Sequence, residues 1–302
     1  MSASSDAAGA GACTLRPLAP AEVATLIDWA ADEGWNPGLD DADAFHAADP
    51  GGFIGAFVDD RLVAGISAVA YDAAFGFIGL YLCRHDRRGR GYGKAVWDAG
   101  IARLRDRTIG LDGVDAQRDN YVRKGFAPAY RTVRYSGRPR PPVAAGGLGG
   151  PRAAPASDDE AIVPVDAAIV AAILAFDRSG FPAPRAAFVE RWTSAPRVAL
   201  AWRRSEAVAG YGVLRACRSG WKVGPLFAAD TNGAIALLAA LSARAGPAGE
   251  IHLDVPQPNE AFVRYLTGAG FVPGFETTRM YRGPRPAVGA ATVFAVTTLE
   301  LG

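Results

Sequence analysis

Apolar and polar positions along the first half of the chain form blocks that predict strands and helices. Three apolar runs, Phe53–Val58, 62–71 and Phe75–Cys83, follow one another across short polar segments and predict three consecutive strands. Residues 21–33 and 95–104 instead carry apolar side chains three or four positions apart, which predicts amphipathic helices. Shorter blocks complete the order β-α-α-β-β-β-α-β-α-β, a mixed α/β fold. They lie at 13–16, 40–49, 108–111, 116–124 and 132–135.

The second half of the chain repeats the first at a constant spacing. Short matches recur 145 positions later at three separated places, which favours a tandem duplication over chance. The segment 138–160 between the halves is rich in Pro and Gly and has no apolar period, so we predict a flexible linker. The chain should therefore hold two domains of the same fold, 13–137 and 161–302. The matches are Val-Ala-Gly at 63–65 and 208–210, Gly-Phe at 125–126 and 270–271, and Arg at 134 and 279.

The outer parts of the two halves carry weaker patterns. In the second half, apolar blocks predict a first strand at 161–163, a first helix at 167–176 and an alternating closing strand at 292–301. Residues 1–12 are rich in Ala, Ser and Gly and are predicted to be disordered.

Composition excludes several classes of function. The net charge of +1 gives no bias toward nucleic acid, and no apolar run reaches the roughly 20 residues of a membrane span. The start of the chain lacks the pattern of a signal peptide. Three cysteines and three histidines are scattered without the spacing of a metal site or a disulfide framework. We therefore expect a reduced, cytoplasmic protein without a bound metal.

A basic, glycine-rich loop separates the predicted strand Phe75–Cys83 from the helix after it. Its glycines let backbone N–H groups approach an anion, its cations add charge, and the helix start adds the positive end of a dipole. Strand, loop and helix together predict a phosphate site. The loop residues are Arg88, Gly89, Arg90, Gly91, Tyr92, Gly93 and Lys94.

Spacing distinguishes between three kinds of phosphate loop. A nucleoside-triphosphate loop would need a hydroxyl residue where Ala95 stands, and a dinucleotide fingerprint would need glycine at Lys94 or Val96. The pattern R-x-x-G-x-G fits from Arg88 to Gly93. This loop resembles the acetyl-CoA loop of the GNAT superfamily of N-acetyltransferases.

The resemblance implies where the co-substrate acetyl-CoA binds and which groups act on it. The loop amides would bind the CoA pyrophosphate, and a backbone N–H near Leu82 or Cys83 would polarise the thioester carbonyl. Tyr121 stands four residues before Gly125-Phe126, at the family's general-acid position, and would protonate the departing thiolate. Cys83 has no histidine placed by the sequence to activate it, which disfavours a covalent acyl-cysteine.

The acceptor side of the implied site is less defined. In this fold the segment between the first two helices lines the acceptor pocket, and here it contains Trp35, Asn36 and Asp40. The sequence leaves open which group removes the proton from the acceptor amine. The candidates are Asp112, Glu33, Asp40 and a water molecule.

The second half departs from the pattern of the acetyl-CoA loop. The equivalent segment, 227–234, lacks the arginines, and Asp230 places a negative charge where phosphate would bind. Leu266 stands at the position equivalent to the acid, although Gly-Phe-Glu-Thr-Thr-Arg-Met-Tyr from Gly274 resembles a C-terminal GNAT-like module. We expect a tandem GNAT fold whose second copy has no CoA site of its own.

The function expected from these features is acetyl-CoA-dependent N-acetyl transfer by direct attack in a ternary complex. The acceptor would be a primary amine of a small molecule or a peptide N-terminus. Three alternatives remain open: a non-catalytic protein that binds or senses acyl-CoA, O-acetyl transfer, and use of a longer acyl-CoA. The sequence leaves monomer and homodimer equally open.

Overall fold

The computed structural model describes residues 13–138, 159–247, 249–288 and 290–302. Within these ranges, thirteen strands form one continuous mixed sheet, which confirms the predicted mixed α/β class. The predicted disorder at 1–12 and most of the predicted linker at 138–160 lie outside the described residues.

The first half has the predicted order of elements. Two predicted strands, Phe53–Val58 and Phe75–Cys83, have the predicted bounds. The strands predicted at 108–111 and 132–135 are longer than predicted and span Thr108–Val114 and Ala127–Gly137. The elements are β1 (Thr14–Pro17), α1 (Pro20–Asp32), α2 (Asp41–Ala48), β2 (Phe53–Val58), β3 (Arg61–Ala70), β4 (Phe75–Cys83), α3 (Tyr92–Arg103), β5 (Thr108–Val114), α4 (Arg118–Arg123) and β6 (Ala127–Gly137).

The second half repeats this order and adds one short strand. The predicted closing strand at 292–301 is wrong over most of its length, because only its first residues pair with a neighbour and the remainder turns into the interior. The elements are β7 (Glu160–Pro164), α5 (Val170–Asp177), α6 (Ala186–Trp192), β8 (Val198–Arg204), β9 (Ala207–Ala216), β10 (Trp221–Ala228), α7 (Thr231–Arg244), β11 (Ile251–Pro256), α8 (Glu260–Gly268), β12 (Val272–Arg282) and β13 (Val293–Ala295).

The last long strand of each half pairs with the other half. The strand order is β1-β2-β3-β4-β5-β12-β6-β11-β10-β9-β8-β7. Thus β12 lies between β5 and β6, while β6 also pairs with β11. Because of this exchange, the boundaries predicted for two domains do not separate two sheets, and side chains of β12 reach the centre of the first half.

A bulge in β4 opens the sheet of the first half. The pairing of β4 with β3 shifts register between Gly65 and Ser67, and Leu80 in the bulge has a φ of 42°, which is unusual for a branched residue. Parallel pairing of β4 with β5 ends at Ile78 opposite Leu111. Beyond this point the two strands diverge and leave a wedge-shaped cleft.

The second half has a similar bulge, but its cleft is filled. The register of β10 shifts between Val223 and Leu226, and β10 pairs with β11 only before the bulge. Beyond it, β13 pairs with β10, and the N–H of Val296 donates to the carbonyl of Asp254 on β11 at 2.9 Å. The chain's own strand therefore takes the place that is open in the first half.

From β13 the chain continues into the first half. We call residues 293–302, which include β13, the crossing segment. Its Glu300 carbonyl accepts a hydrogen bond from Ser67 at 3.2 Å, and its Leu301 carbonyl accepts one from Tyr71 at 2.8 Å. Gly79 in the bulge is in contact with it: a Cβ there would lie 2.8 Å from the Cα of Glu300. The absence of a side chain at this position lets the crossing segment pack on β4.

Candidate active site

The cleft between the diverging ends of β4 and β5 contains a cavity of about 560 Å³. The basic loop and the start of α3 form one end of it, and residues of β12 and the crossing segment form part of the rest. Its lining is Glu33, Trp35, Ile78, Gly79, Leu80, Tyr81, Leu82, Cys83, Arg87, Arg88, Gly89, Gly91, Tyr92, Gly93, Lys94, Leu111, Asp112, Val114, Ala116, Gln117, Asn120, Tyr121, Phe275, Thr277, Leu299 and Glu300.

The loop end of the cleft has the backbone geometry of an anion site. Gly91 is the N-cap of α3 and has a φ of 84°, a left-handed conformation that favours glycine. α3 begins at Tyr92 and has no acidic residue in its first turn. The first intrahelical bond closes from the N–H of Ala95 to the carbonyl of Gly91, so the N–H groups of Tyr92, Gly93 and Lys94 have no acceptor within the helix and can bind an anion at its positive end.

The arginine that opens the motif makes contacts within the protein. The guanidinium of Arg88 forms an ion pair with Glu33 at the end of α1 and donates a hydrogen bond to the carbonyl of Cys83 at 3.1 Å. These contacts connect the loop to β4 and α1. Arg90, by contrast, is exposed, and Lys94 pairs with Asp98 one turn later on α3.

Tyr121 on α4 lines the cleft. Its ring packs beside Trp97, with the ring centroids 5.6 Å apart, and the side chain is largely buried. In the described part of the chain, no group lies within hydrogen-bonding distance of the hydroxyl. Burial, together with nearby Tyr81, raises the pKa of Tyr121 to about 12, so the phenol is protonated at neutral pH.

Cys83 also lines the cleft, at the end of β4. Burial raises the pKa of its thiol above the ordinary value, because desolvation outweighs the attraction of Arg88. A thiol in this state is a poor nucleophile at neutral pH. The environment of Cys83 therefore disfavours a covalent acyl-cysteine, as the sequence did.

Asp112, one of the bases that the sequence left open for the acceptor, lines the cleft. However, its side chain is 0% exposed, and both carboxylate oxygens accept hydrogen bonds from Arg279 of β12, at 2.8 and 2.7 Å. Burial raises the pKa of Asp112 above its ordinary value, although Arg279 acts in the opposite direction. The ion pair occupies both carboxylate oxygens, so Asp112 could take a proton only if the pair opened.

Of the three residues expected to form the acceptor wall, only Trp35 lines the cleft. Asn36 instead exchanges two hydrogen bonds with the backbone of Ser219, at 2.9 and 3.1 Å. Asp40 is exposed, and its carbonyl accepts a hydrogen bond from Arg197. The segment between α1 and α2 is bound to the second half, which turns Asn36 and Asp40 away from the cleft.

The second half supplies lining residues that the sequence did not predict. Phe275 and Thr277 reach the cleft from the exchanged strand β12, and Leu299 and Glu300 reach it from the crossing segment. A reading of each half by itself could not find them. The one signal for Glu300 was its position as a lone acidic residue in an otherwise apolar and hydroxyl-bearing run, 293–301.

The loop position of the second half is occupied by protein groups. Asp230 is the N-cap of α7, and its carboxylate accepts a hydrogen bond from the N–H of Gly233 at 2.9 Å. Arg204 pairs with the same carboxylate at 2.7 Å. Asn259, at the start of α8, donates to the carbonyl of Val293 in β13. The anion-binding end of α7 and the adjacent cleft thus bind the chain itself.

The described residues contain no cluster of His, Cys, Asp or Glu that could hold a metal ion. Among their helices, none is long and apolar enough to cross a membrane.

Comparison with known proteins identifies relatives of each half and of the whole. Residues 21–127 match the model of the acetyltransferase (GNAT) family, and residues 173–295 match that of an acetyltransferase (GNAT) domain. A holothin acyltransferase from Pseudoalteromonas sp. (strain SANK 73390) is 29% identical over 290 residues, which cover 96% of this chain and 94% of the relative.

Solved structures show the same fold over nearly the whole chain. A protein from Pyrococcus horikoshii with a provisional acetyltransferase assignment has a TM-score of 0.77 and 20% identity, covering 97% of this chain and 96% of its own. A tandem GNAT protein from the clavulanic acid biosynthesis pathway has a TM-score of 0.61 and 15% identity, covering 91% of this chain and 100% of its own. At these identities the likeness concerns the fold alone.

Proposed function

The chain belongs to the GNAT superfamily of acyltransferases, with two such domains in tandem, and on that premise we propose that it transfers an acetyl group from acetyl-CoA to a primary amine. The observation that carries this proposal is the continuity of one cleft. It runs from the start of α3, between the ends of β4 and β5, to Tyr121.

The first part of the cleft suits an acyl-CoA. The N–H groups at the start of α3 and the loop cations would hold the pyrophosphate. The pantetheine arm would lie along β4 beyond Ile78, where the strand has lost its pairing with β5. A backbone N–H near Leu82 or Cys83 would then donate to the thioester carbonyl, which gains negative charge as the amine attacks.

Tyr121 is suited to assist the departing thiolate. The bond from the carbonyl carbon to sulfur breaks as the amide forms, and the sulfur needs a proton or a hydrogen-bond donor. The hydroxyl of Tyr121 is protonated at neutral pH and has no partner among the described residues, so it is available to donate. This free hydroxyl favours catalysis over mere binding of acyl-CoA, which would not need it.

The acceptor is proposed to be small. The cavity of about 560 Å³ must hold the acyl group and part of the pantetheine arm as well as the acceptor. The similar protein from Pseudoalteromonas is named for the acylation of holothin, which makes holothin a reasonable first acceptor to test beside simple primary amines. We place the reaction in the cytoplasm, since all three cysteines are free thiols.

The test is a two-way screen with the intact protein. Acetyl-, propionyl- and butyryl-CoA are each combined with holothin, alkylamines, arylamines, a peptide N-terminus and matched alcohols, and both CoA release and the acylated product are measured. The proposal expects acetyl-CoA and an amine to give the highest kcat/KM. Product from alcohols alone would replace the amine by a hydroxyl acceptor, and product from longer acyl groups alone would replace acetyl-CoA as the donor. Tight binding of acyl-CoA with no product would favour the alternative that the protein senses acyl-CoA.

A further inference from the structure

Glu300 is a buried carboxylate without a partner beside the candidate active site. It lies on the crossing segment, lines the cleft between β4 and β5, and is only 4% exposed. Its backbone is held by the hydrogen bond from Ser67 and by its packing on Gly79. Its carboxylate, by contrast, takes neither a hydrogen bond nor an ion pair from any residue that the structure describes. Buried carboxylates without partners are rare because desolvation is costly, so such a group calls for a functional explanation.

The charged groups around Glu300 come from five elements. Lys222 of β10, Arg215 of β9 and Arg134 of β6 favour its ionised form, while Asp41 of α2 and Asp254 of β11 oppose it. All three cations already have other acceptors, and Arg134 pairs with Asp254 at 2.7 Å. Lys222 Nζ lies 3.5 Å from the Trp35 carbonyl and 3.9 Å from Asp254, and Arg215 Nε lies 3.3 Å from Asp41. None of these charges forms an ion pair with Glu300.

Burial has the largest effect on Glu300 and raises the pKa of its carboxyl above the ordinary value. Lys222 and Arg215 act in the opposite direction. A carboxylate whose proton affinity is raised in this way is a better base at neutral pH than an exposed one.

The three carboxylates that line the cleft differ in their availability. Glu33 is paired with Arg88 and with His85, and Asp112 is held at both oxygens by Arg279. Glu300 alone among these three is unpaired. It shares the cleft with the unpaired hydroxyl of Tyr121. A residue suited to accept a proton and a residue suited to donate one thus line the same cavity.

On the basis of the proposed function, we propose that Glu300 is the general base that takes a proton from the acceptor ammonium. The neutral amine then attacks the thioester carbon, so that a C–N bond forms and the C–S bond breaks. After the attack the nitrogen carries a positive charge and one proton more than the amide. It gives this proton to the oxygen of Tyr121, while the hydroxyl of Tyr121 gives its own proton to the departing sulfur. Glu300 returns its proton to solvent, and the products are the amide, CoA as a thiol and one proton.

This assignment makes the second half part of the catalytic site of the first. The first part of the crossing segment, β13, lies in the cleft between β10 and β11. Its last part places Glu300 at the cleft between β4 and β5. The same ten residues thus occupy one site and complete the other.

The experiment compares Glu300→Gln with Glu276→Gln in the full chain. Glu276 lies on β12 between the lining residues Phe275 and Thr277, but its side chain pairs with Arg131 and is 36% exposed. Both variants replace a carboxylate by an amide of the same shape. Steady-state kinetics with acetyl-CoA are measured with a protonated alkylamine, such as benzylamine, and with aniline, which is neutral at pH 7. Acetyl-CoA affinity and melting temperature are measured alongside.

The expected result is a loss of about 100-fold or more in kcat for the alkylamine in Glu300→Gln, the typical scale of general-base catalysis. The loss should be much smaller for aniline, which needs no initial deprotonation, and should shrink for the alkylamine at high pH. Glu276→Gln should match the wild type. Unchanged kcat with a raised KM for the amine would overturn the base role, and so would an equal loss for both amines. If the wild type turns over no amine at all, the proposed function itself fails and this inference with it.

Discussion

Arg279 on β12 donates hydrogen bonds of 2.8 and 2.7 Å to Asp112 on β5. Its counterpart 145 positions earlier, Arg134 on β6, donates bonds of 2.7 and 3.0 Å to Asp254 on β11. Each pair joins one half of the chain to the other, and all four side chains are almost fully buried. The duplicated arginine therefore keeps an aspartate as its partner, but always in the opposite half. The two pairs connect the exchanged strands to their new neighbours.

The first prediction tests whether Asp112 stabilises the fold or acts as a catalytic base. Asp112→Asn leaves the buried guanidinium of Arg279 without its countercharge, which should cost about 3 kcal/mol of unfolding free energy. The folded fraction should keep a kcat within a few-fold of the wild type. Urea denaturation and kinetics on the folded enzyme measure the two effects.

The matched variant is Asp254→Asn, which removes the equivalent partner of Arg134. A similar loss of stability in both variants would agree with a shared structural role. A stable Asp112→Asn enzyme with kcat reduced 100-fold or more would instead support Asp112 as the base.

The second prediction concerns acid stability. Burial alone would raise the pKa of Asp254, but Arg134 and Lys222 outweigh it and lower the pKa to about 2, below the ordinary 3.8. A lowered folded-state pKa stabilises the protein above the unfolded-state value, and this contribution is lost as the pH falls from about 4 toward 2. The difference in unfolding free energy between wild type and Asp254→Asn should therefore shrink over that range, by about 2 kcal/mol.

Urea midpoints between pH 5 and pH 2.5 test this linkage. Asp119→Asn, which changes an exposed aspartate on α4, serves as the control. A difference between wild type and Asp254→Asn that stays constant with pH would show that Asp254 does not contribute in this way.

The sequence predicted most of the first half because its signals are local. Apolar runs predicted the strands Phe53–Val58 and Phe75–Cys83, and the R-x-x-G-x-G spacing identified the loop. The resemblance to the GNAT family implied a place for Tyr121 at the site, on the basis of its short spacing from Gly125. None of these predictions depended on the other half of the chain.

The sequence was least informative where distant parts of the chain meet. The partner of Asp112 is 167 residues away, and nothing near Asp112 in the sequence indicates that β12 lies beside β5. Asn36 faces Ser219 for the same reason. Glu300 was read as part of a closing strand because its run is apolar and alternating, although burial by the first half produces the same pattern as pairing in a sheet.

The third prediction tests the loop. Gly91→Asp places a side chain with a negative charge at the N-cap of α3, where the φ of 84° already disfavours any Cβ. Affinity for acetyl-CoA, measured by calorimetry, should fall at least about tenfold, equal to 1.4 kcal/mol.

The control for the loop is Gly246→Asp. Gly246 has a similar φ of 77°, and a Cβ there would meet nothing within 4 Å. It introduces the same charge and similar strain after α7, away from the cleft. Equal affinity losses in the two variants would point to a general effect on the fold and would remove the loop assignment.

The fourth prediction concerns the number of acetyl-CoA sites. β13 pairs with β10 in the second cleft, and Asp230 caps α7 at the position where a phosphate would bind. We therefore expect calorimetry to give one acetyl-CoA per chain. Two equivalents per chain, with the second retained in Gly91→Asp, would show that the second half binds the co-substrate despite these groups.

The last prediction concerns Tyr121 as the acid. Tyr121→Phe removes only the hydroxyl, which has no partner among the described residues, so packing against Trp97 should survive. If the hydroxyl protonates the thiolate, kcat and kcat/KM should fall together by at least about tenfold, since the interaction forms only in the transition state. Acetyl-CoA affinity should be unchanged. Tyr265→Phe, one residue before the equivalent position Leu266 on α8, is the matched control. Single-turnover rates exclude masking by product release, and a wild-type rate of acetyl transfer in Tyr121→Phe would leave the thiolate to depart with water as its only proton source.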